Sequence, residues 1–212
     1  ITGSLLNRGT GYTSAMIDES KPGPVAGPDW TFHFETGRPC LNFVATVGDR
    51  AHLAFDRWRR AQDLARWCVE ARLLSVEPAV DSQLLEAARG LRESSYRTID
   101  SLRAGRRPQR QDVQTMNKWA ARPALAPQWR EQSGQVKWVF DAPIESVLST
   151  IARDAIALVA SQDLGRVREC ASRSCSVLFL DSSRPGKRRW CSMNRCGNRT
   201  KKSNYRRRLR AQ

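Results

Sequence analysis

Four cysteines near the carboxyl end of the chain have a spacing that suits a metal site. Cys170 and Cys175 form one pair, Cys191 and Cys196 form a second, and each pair encloses four residues. Fifteen residues separate the pairs. Two short thiol turns joined by such a loop can place four sulfurs at the corners of a tetrahedron, as in structural zinc sites. The alternative, two disulfides, needs an oxidising compartment, and nothing in the sequence indicates export. The spacing therefore predicts zinc with four cysteine ligands.

The positive charge of the chain is concentrated around these cysteines. Residues 166–212 contain fifteen of the 36 Lys and Arg residues but only two of the 21 acids, Glu169 and Asp181. This segment carries a formal charge of +13, whereas the whole chain carries +15. A basic tail on a nearly neutral body indicates a polyanionic partner, most often nucleic acid.

The basic residues of the tail form two groups. A helix from residue 196 to 210 would align five cations on one face, because their steps of three and four residues match the helical repeat. We expect nucleic-acid contacts from this face and from a basic turn. One amide side chain either binds an adenine edge or supports the zinc turn. The residues of the face are Arg195, Arg199, Lys202, Arg206 and Arg210; those of the turn are Arg184, Lys187, Arg188 and Arg189; the amide is Asn198.

The same residues resemble a known zinc finger. Arg189-Trp190-Cys191-Ser192-Met193, followed by Cys196-Gly197-Asn198-Arg199, is similar to the CGNR finger, which is named for that tetrapeptide. Leu178-Phe179-Leu180-Asp181 and Ser183-Arg184 also fit its pattern. In that family the finger closes a chain that begins with a helical ABATE domain, and the family is named for a proposed role in stress-induced transcription regulation. The resemblance implies a regulator, whereas the charge alone implies only a polyanion binder.

The finger must be built from a small number of elements. We expect a strand over 176–181, a turn at Ser183–Gly186, a returning strand over 187–190, and the basic helix, in a treble-clef-like arrangement. Phe179, or its neighbours Leu178 and Leu180, would form a small core with Trp190. Tyr205 and Leu209 would pack the helix back onto the hairpin. Zinc would hold this module together, because so small a core cannot fold alone.

The residues upstream alternate between helical patterns and turns. Residues 1–29, rich in Gly, Ser, Thr and Pro, form an expected flexible lead-in. The patterns predict a strand at Trp30–Phe34, a strand or buried helix at Cys40–Val47, helices over 55–74, 84–102, 109–121 and 144–160, and a β-hairpin of 125–129 with 135–140. Gly165 would end the last helix. Cys40 and Cys68 are expected to be buried apolar residues, and His33 and His52 ordinary imidazoles rather than catalytic groups.

These elements define the expected architecture. The fold class is mainly α with a small β-hairpin (α+β), divided into the lead-in 1–29, an ABATE-like helical domain 30–164 and the zinc finger 165–212. The segment order of 30–164 is what the ABATE resemblance implies.

The expected function is that of a zinc-dependent, DNA-binding transcription regulator in the cytoplasm. The helical domain would sense a signal, a small molecule among the options, or bind a partner. An RNA-binding protein acting on structured or ribosomal RNA, and a protein-interaction module without nucleic-acid binding, remain alternatives. We expect no enzyme, because four cysteine ligands leave zinc no open position and no catalytic motif is present. The chain is compatible with a homodimer, and no apolar run is long enough to cross a membrane.

Overall fold

The computed structural model describes residues 29–51, 54–140, 142–172 and 175–210, and about half of these residues are helical. Residues 1–28 of the predicted lead-in 1–29, and His52, lie outside the described residues. The helices are α1 (Pro39–Val44), α2 (Ala61–Glu70), α3 (Ser82–Arg103), α4 (Arg110–Ala120), α5 (Pro143–Val159) and α6 (Asn198–Arg210). Three antiparallel pairs join β1 (Val47–Gly48) to β2 (Phe55–Asp56), β3 (Ala126–Arg130) to β4 (Gln135–Val139), and β5 (Val167–Glu169) to β6 (Leu178–Leu180).

Helices α3, α4 and α5 pack against one another and form the frame of a helical body, with α1 packed on α3 and α5. Local signals fix where these helices begin. The Asp81 carboxylate accepts a hydrogen bond from the Leu84 N–H (2.7 Å) at the start of α3, and Pro143 occupies the first turn of α5. One face of α5, which includes Val147, Leu148 and Ile151, is fully buried in the shared core.

Three aromatic side chains fill the end of the core near α1 and α2. The ring centroid of Phe43 lies 5.1 Å from that of Trp58 and 5.3 Å from that of Trp67, and the two tryptophans are 5.9 Å apart. All three pairs are edge-to-face, the arrangement that the charge distribution of aromatic rings favours. The thiols of Cys40 and Cys68 are fully buried in this core, which confirms the prediction for both.

A buried guanidinium joins the short strands to α3. Arg92 is 3% exposed and donates to both carboxylate oxygens of Asp56 (2.9 and 2.8 Å) and to the Thr46 hydroxyl (3.2 Å). On the other side of α3, Arg97 binds Asp112 of α4 through two hydrogen bonds (2.9 and 2.6 Å). Each of these pairs joins α3 to a neighbouring element. Removing either partner would destabilise the fold, because it would leave the other charge without compensation.

The predictions for α3, α4, α5 and the β3–β4 hairpin are confirmed within one or two residues. Of the two options for residues 40–47, the buried helix is correct, although α1 ends at Val44. The predicted helix over 55–74 is too long, since α2 begins at Ala61, and Phe55 and Asp56 belong to β2.

Two further predictions for the body are wrong. The stretch Trp30–Phe34 forms no strand; it is a loop in which Arg57 donates to the Thr31 carbonyl (2.8 Å) and Arg195 to the Phe32 carbonyl (3.2 Å). Gly165 does not end α5 either. That helix ends at Val159, and its C-cap residue Ala160 has an ordinary φ of −84°. Gly165 lies inside the following 3₁₀ turn Gln162–Arg166. Within the described ranges, none of the helices is both long and apolar enough to cross a membrane.

Candidate metal centre and basic helix

The four cysteines of the finger meet at one point. Cys170, Cys175, Cys191 and Cys196 are buried, and their sulfur atoms all lie within 4.8 Å of one another. The Cys175–Cys191 and Cys191–Cys196 sulfur separations are 3.8 and 3.6 Å. Four sulfurs placed about 2.3 Å from a central ion at tetrahedral angles are about 3.8 Å apart. The donor set and its spacing therefore fit a tetrahedral metal site, as the sequence predicts.

Two tight turns present these sulfurs. Cys170 follows β5, and its N–H donates to the Val177 carbonyl (3.0 Å), while the Cys175 N–H closes the first turn on the Ser172 carbonyl (3.0 Å). In the second turn, the Cys196 N–H donates to the Ser192 carbonyl (3.0 Å) within the π-helical turn Met193–Gly197. Backbone hydrogen bonds thus shape both turns.

The thiols also interact strongly with one another. A hydrogen bond from Cys175 is the main cause that lowers the pKa of Cys170, whereas hydrogen bonding with Cys170 raises the pKa of Cys175 and Cys191. Four thiols so close together cannot all ionise unless a cation compensates their charge. A divalent ion at the centre would supply that compensation.

The hairpin of the finger differs from the prediction. Strand β6 pairs with β5, which precedes the first cysteine pair, and not with residues 187–190. Residues 187–190 form no strand, although the Arg189 carbonyl accepts a hydrogen bond from the Ala171 N–H (2.9 Å). Phe179 is buried beside the cysteines with Trp190 packed against them, as expected. Leu178, by contrast, belongs to the core of the helical body, so the finger and the body share a core.

A buried carboxylate shapes the basic turn. Asp181 is fully buried and accepts hydrogen bonds from the Ser183 hydroxyl (2.6 Å), the Ser183 N–H (3.0 Å) and the Arg188 N–H (2.9 Å). These bonds, led by that of the Ser183 hydroxyl, hold the pKa of Asp181 below its usual range. The sequence located Asp181 only as an acid close to the thiols. Its position in the Leu-Phe-Leu-Asp run, just before a Ser and a Pro-Gly turn, was the signal for this role.

Among the described residues, two of the ten predicted nucleic-acid contacts use their side chains for hydrogen bonds within the protein. The Arg188 guanidinium donates to the carbonyls of Trp190 (2.9 Å) and Cys191 and lies over the Phe179 ring at 4.9 Å. The Arg195 guanidinium donates to the Phe32 carbonyl (3.2 Å) and lies 3.6 Å from the Asp29 carboxylate. Both arginines stabilise the second cysteine turn and its contact with the body.

The other predicted contact residues are exposed. Three of them belong to the basic turn: Arg184, Lys187 and Arg189. The other five lie along α6: Asn198, Arg199, Lys202, Arg206 and Arg210. Seven of the thirteen residues of α6 are Lys or Arg, and none is acidic. The prediction that Tyr205 and Leu209 pack against the hairpin is wrong. They are 64% and 56% exposed, because α6 extends away from the finger and packs mainly on the π-helical turn that precedes it.

His33 is a buried, neutral group. It is 8% exposed, and its Nε2 lies 3.1 Å from the Arg57 guanidinium, which also donates to the Ala45 carbonyl (2.9 Å). Burial is the main cause that lowers the pKa of His33 to about 3, and the charge of Arg57 adds to it. The residue therefore accepts a hydrogen bond from Arg57 and stays uncharged at neutral pH.

Comparison with known families finds a match for each of two parts of the chain. Residues 37–162, more than half of the chain, match the ABATE family, described as "Putative stress-induced transcription regulator". Residues 166–209 match the CGNR zinc finger. Among curated proteins, none matches the chain.

Proposed function

The chain belongs to the ABATE family, and on that premise we propose that it is a zinc-dependent, DNA-binding transcription regulator. The CGNR finger contacts double-stranded DNA, and the helical body senses a signal or binds a partner. The metal of the four-cysteine site is zinc, held by Cys170, Cys175, Cys191 and Cys196. Its role is structural, since four cysteine ligands leave no open position for a substrate.

The observation that carries this proposal is the composition and exposure of α6. The Lys and Arg side chains whose exposure the structure describes along this helix are all exposed, and no acid within the helix balances them. Like charges at such spacing repel one another, so the arrangement is unfavourable until a polyanion neutralises it. Binding to a DNA duplex removes this repulsion. It is also favoured by the entropy of the counterions that the DNA releases.

The exposed residues divide into two kinds of contact. Arg184, Lys187 and Arg189 are exposed on the turn that precedes Cys191, where contacts with phosphates would position the finger. Arg199 and Asn198, at the start of α6, have the side chains that read guanine and adenine edges in a major groove. Arg188 and Arg195 support the finger from within instead.

The test is fluorescence anisotropy of the full, zinc-loaded chain with a labelled random duplex and a matched RNA hairpin over a salt series. The triple variant Arg199→Ala/Lys202→Ala/Arg206→Ala should bind the duplex at least about tenfold more weakly, and its log–log salt slope should be smaller by about 2 to 3. The control variant removes three exposed cations from α4 and β3: Arg110→Ala/Lys118→Ala/Arg130→Ala.

The outcomes separate the candidate functions. Equal effects of the two variants would mean that overall charge, not α6, governs binding. A hairpin preferred by a wide margin would assign the protein to RNA. Absence of binding to either nucleic acid at physiological salt would refute the proposal and favour a protein-interaction module. Sedimentation with and without the duplex tests whether two copies bind together.

A further inference from the structure

The loop that precedes α1 lies beside the beginning of the basic helix. The Asp29 carboxylate is 3.6 Å from the Arg195 guanidinium and 4.0 Å from that of Arg199. Asp29 is held in place by the Thr31 hydroxyl (2.6 Å) and N–H (3.2 Å). The residues that follow Asp29 therefore belong to the same surface as the start of α6.

Three residues of the body form an exposed cationic patch next to this contact, which we call the body-side patch: Trp30, Arg59 and Arg60. Trp30 is 44% exposed, and its ring packs edge-on against Phe55 with a centroid distance of 5.3 Å. The Arg59 guanidinium lies 4.8 Å from the centroid of the same Trp30 ring. The electrostatic attraction between the guanidinium and the face of the ring holds the Arg59 side chain at the surface.

The backbone under the patch is fixed, and the nearby acids are already bound. The N–H groups of Arg59 and Arg60 both donate to one carboxylate oxygen of Asp63 (3.1 Å each). The Asp56 carboxylate accepts hydrogen bonds from Arg92 and from the Trp58 N–H, and it also pairs with Arg89. In the part of the chain that the structure describes, neither Arg59 nor Arg60 forms an ion pair. Their charges are therefore available to an external anion.

The patch and the basic helix are close enough for one duplex. Asp29, which contacts Arg199, is bonded directly to Trp30, which contacts Arg59. Standard covalent dimensions limit the distance between the Arg199 and Arg59 guanidinium groups to about 20 Å. One turn of B-DNA is roughly 34 to 36 Å long, so both groups lie within a single turn.

We propose that the DNA-binding surface continues from the finger onto the helical body, where Arg59 and Arg60 contact phosphates and Trp30 orients Arg59. This inference rests on the proposed function, since it extends the surface of α6. The finger and the body would then bind DNA as one unit. The ring under Arg59 reduces the freedom that its side chain loses on binding.

The test uses the full, zinc-loaded chain and the same labelled duplex. Arg59→Ala/Arg60→Ala should raise Kd about 5- to 20-fold and lower the salt slope by about 1.8, the value for two lost phosphate contacts. The matched control Arg110→Ala/Lys118→Ala removes the same charge from α4 and should change Kd less than about twofold. Trp30→Ala should weaken binding, and Trp30→Phe, which keeps a ring under Arg59, should restore most of it.

Folding is controlled by measuring zinc content and Tm for each variant. Arg59→Gln/Arg60→Gln, which retains most of the side-chain length, provides a second loss of charge and should match the alanine variant. If the α6 triple variant loses affinity while both patch variants behave like the control, the patch is not part of the surface and the proposed function stands. If the wild type binds no duplex, the proposed function itself fails. Weakened binding of the RNA hairpin alone would also overturn the assignment to duplex DNA.

Discussion

Gly37 marks the point where the helical body supports the finger, and its substitution tests whether the two are coupled. Gly37 has a φ of +93°, a region that other residues rarely adopt. A Cβ atom at this position would lie 3.1 Å from the Leu180 Cβ in β6. The neighbouring Thr36 carbonyl accepts a hydrogen bond from the Leu180 N–H (2.7 Å). A side chain at residue 37 would therefore push β6 away from the body.

The chain offers a matched control. Gly105 also has a positive φ, +69°, but a Cβ there would meet no atom within 4 Å. Gly105→Ala should lower the free energy of unfolding by about 1 kcal/mol, through backbone strain alone. Gly37→Ala should cost about 2 to 3 kcal/mol, because the overpacking against Leu180 adds to the strain. For a chain of this size, that corresponds to a Tm roughly 4 to 12 °C lower, against about 2 to 4 °C for the control.

The assay combines thermal unfolding with the rate at which a chromogenic chelator removes zinc. If β6 holds the first cysteine turn against the body, Gly37→Ala should release zinc at least about fivefold faster than wild type, which corresponds to about 1 kcal/mol. Gly105→Ala should release zinc at the wild-type rate. A Gly37→Ala protein with a lower Tm but unchanged zinc release would refute the coupling between the body and the metal site.

Other contacts give further predictions. Hydrogen bonds from Arg97 lower the pKa of Asp112 in the folded protein below its ordinary value of 3.8. The ionised Asp112 therefore stabilises the fold above pH 3.8, and this contribution is lost as the pH falls through the lower folded-state pKa. The Tm difference between wild type and Asp112→Asn should therefore narrow below about pH 4, and a constant difference would contradict this account. Arg92→Met should lower the free energy of unfolding by about 3 kcal/mol in urea titrations, since it leaves a carboxylate without its main partner; a loss below about 0.5 kcal/mol would contradict it. Cys191→Ser should reduce the zinc content measured by mass spectrometry to nearly zero, whereas Cys68→Ser should keep one zinc per chain, and retention by Cys191→Ser would rule out the four-cysteine site.

The elements that the sequence predicts well are those with local signals. Helix α3 begins after Asp81, whose side chain accepts the hydrogen bond expected of a capping residue, and α5 begins at Pro143. The hairpin forms because Gly134, with a φ of +63°, follows residues that favour a turn. The four cysteines converge because their spacing already specifies two turns. In each case the residues that determine the structure are neighbours in the sequence.

The predictions that fail depend on partners far away in the chain. Trp30–Phe34 alternates like a strand, but its carbonyls bind the side chains of Arg57 and Arg195 instead of a neighbouring strand. Strand β6 pairs with β5, because Leu178 can then reach the core of the body. Periodicity shows that a segment has an apolar face, but it does not show which surface covers that face.

The loop 29–38 has a consequence for how the protein folds during its synthesis. Its Phe32, Glu35 and Thr36 carbonyls accept hydrogen bonds from Arg195, Arg188 and Leu180, and the first two partners follow 163 and 153 residues later. At 5–20 residues per second, the ribosome needs roughly 8 to 33 s to supply these donors. The first described segment of the body is therefore among the last to reach its final contacts, and a nascent chain arrested before the finger would expose it to chaperones and proteases. Folding of the finger, and with it metal uptake, would then complete the contacts of this loop.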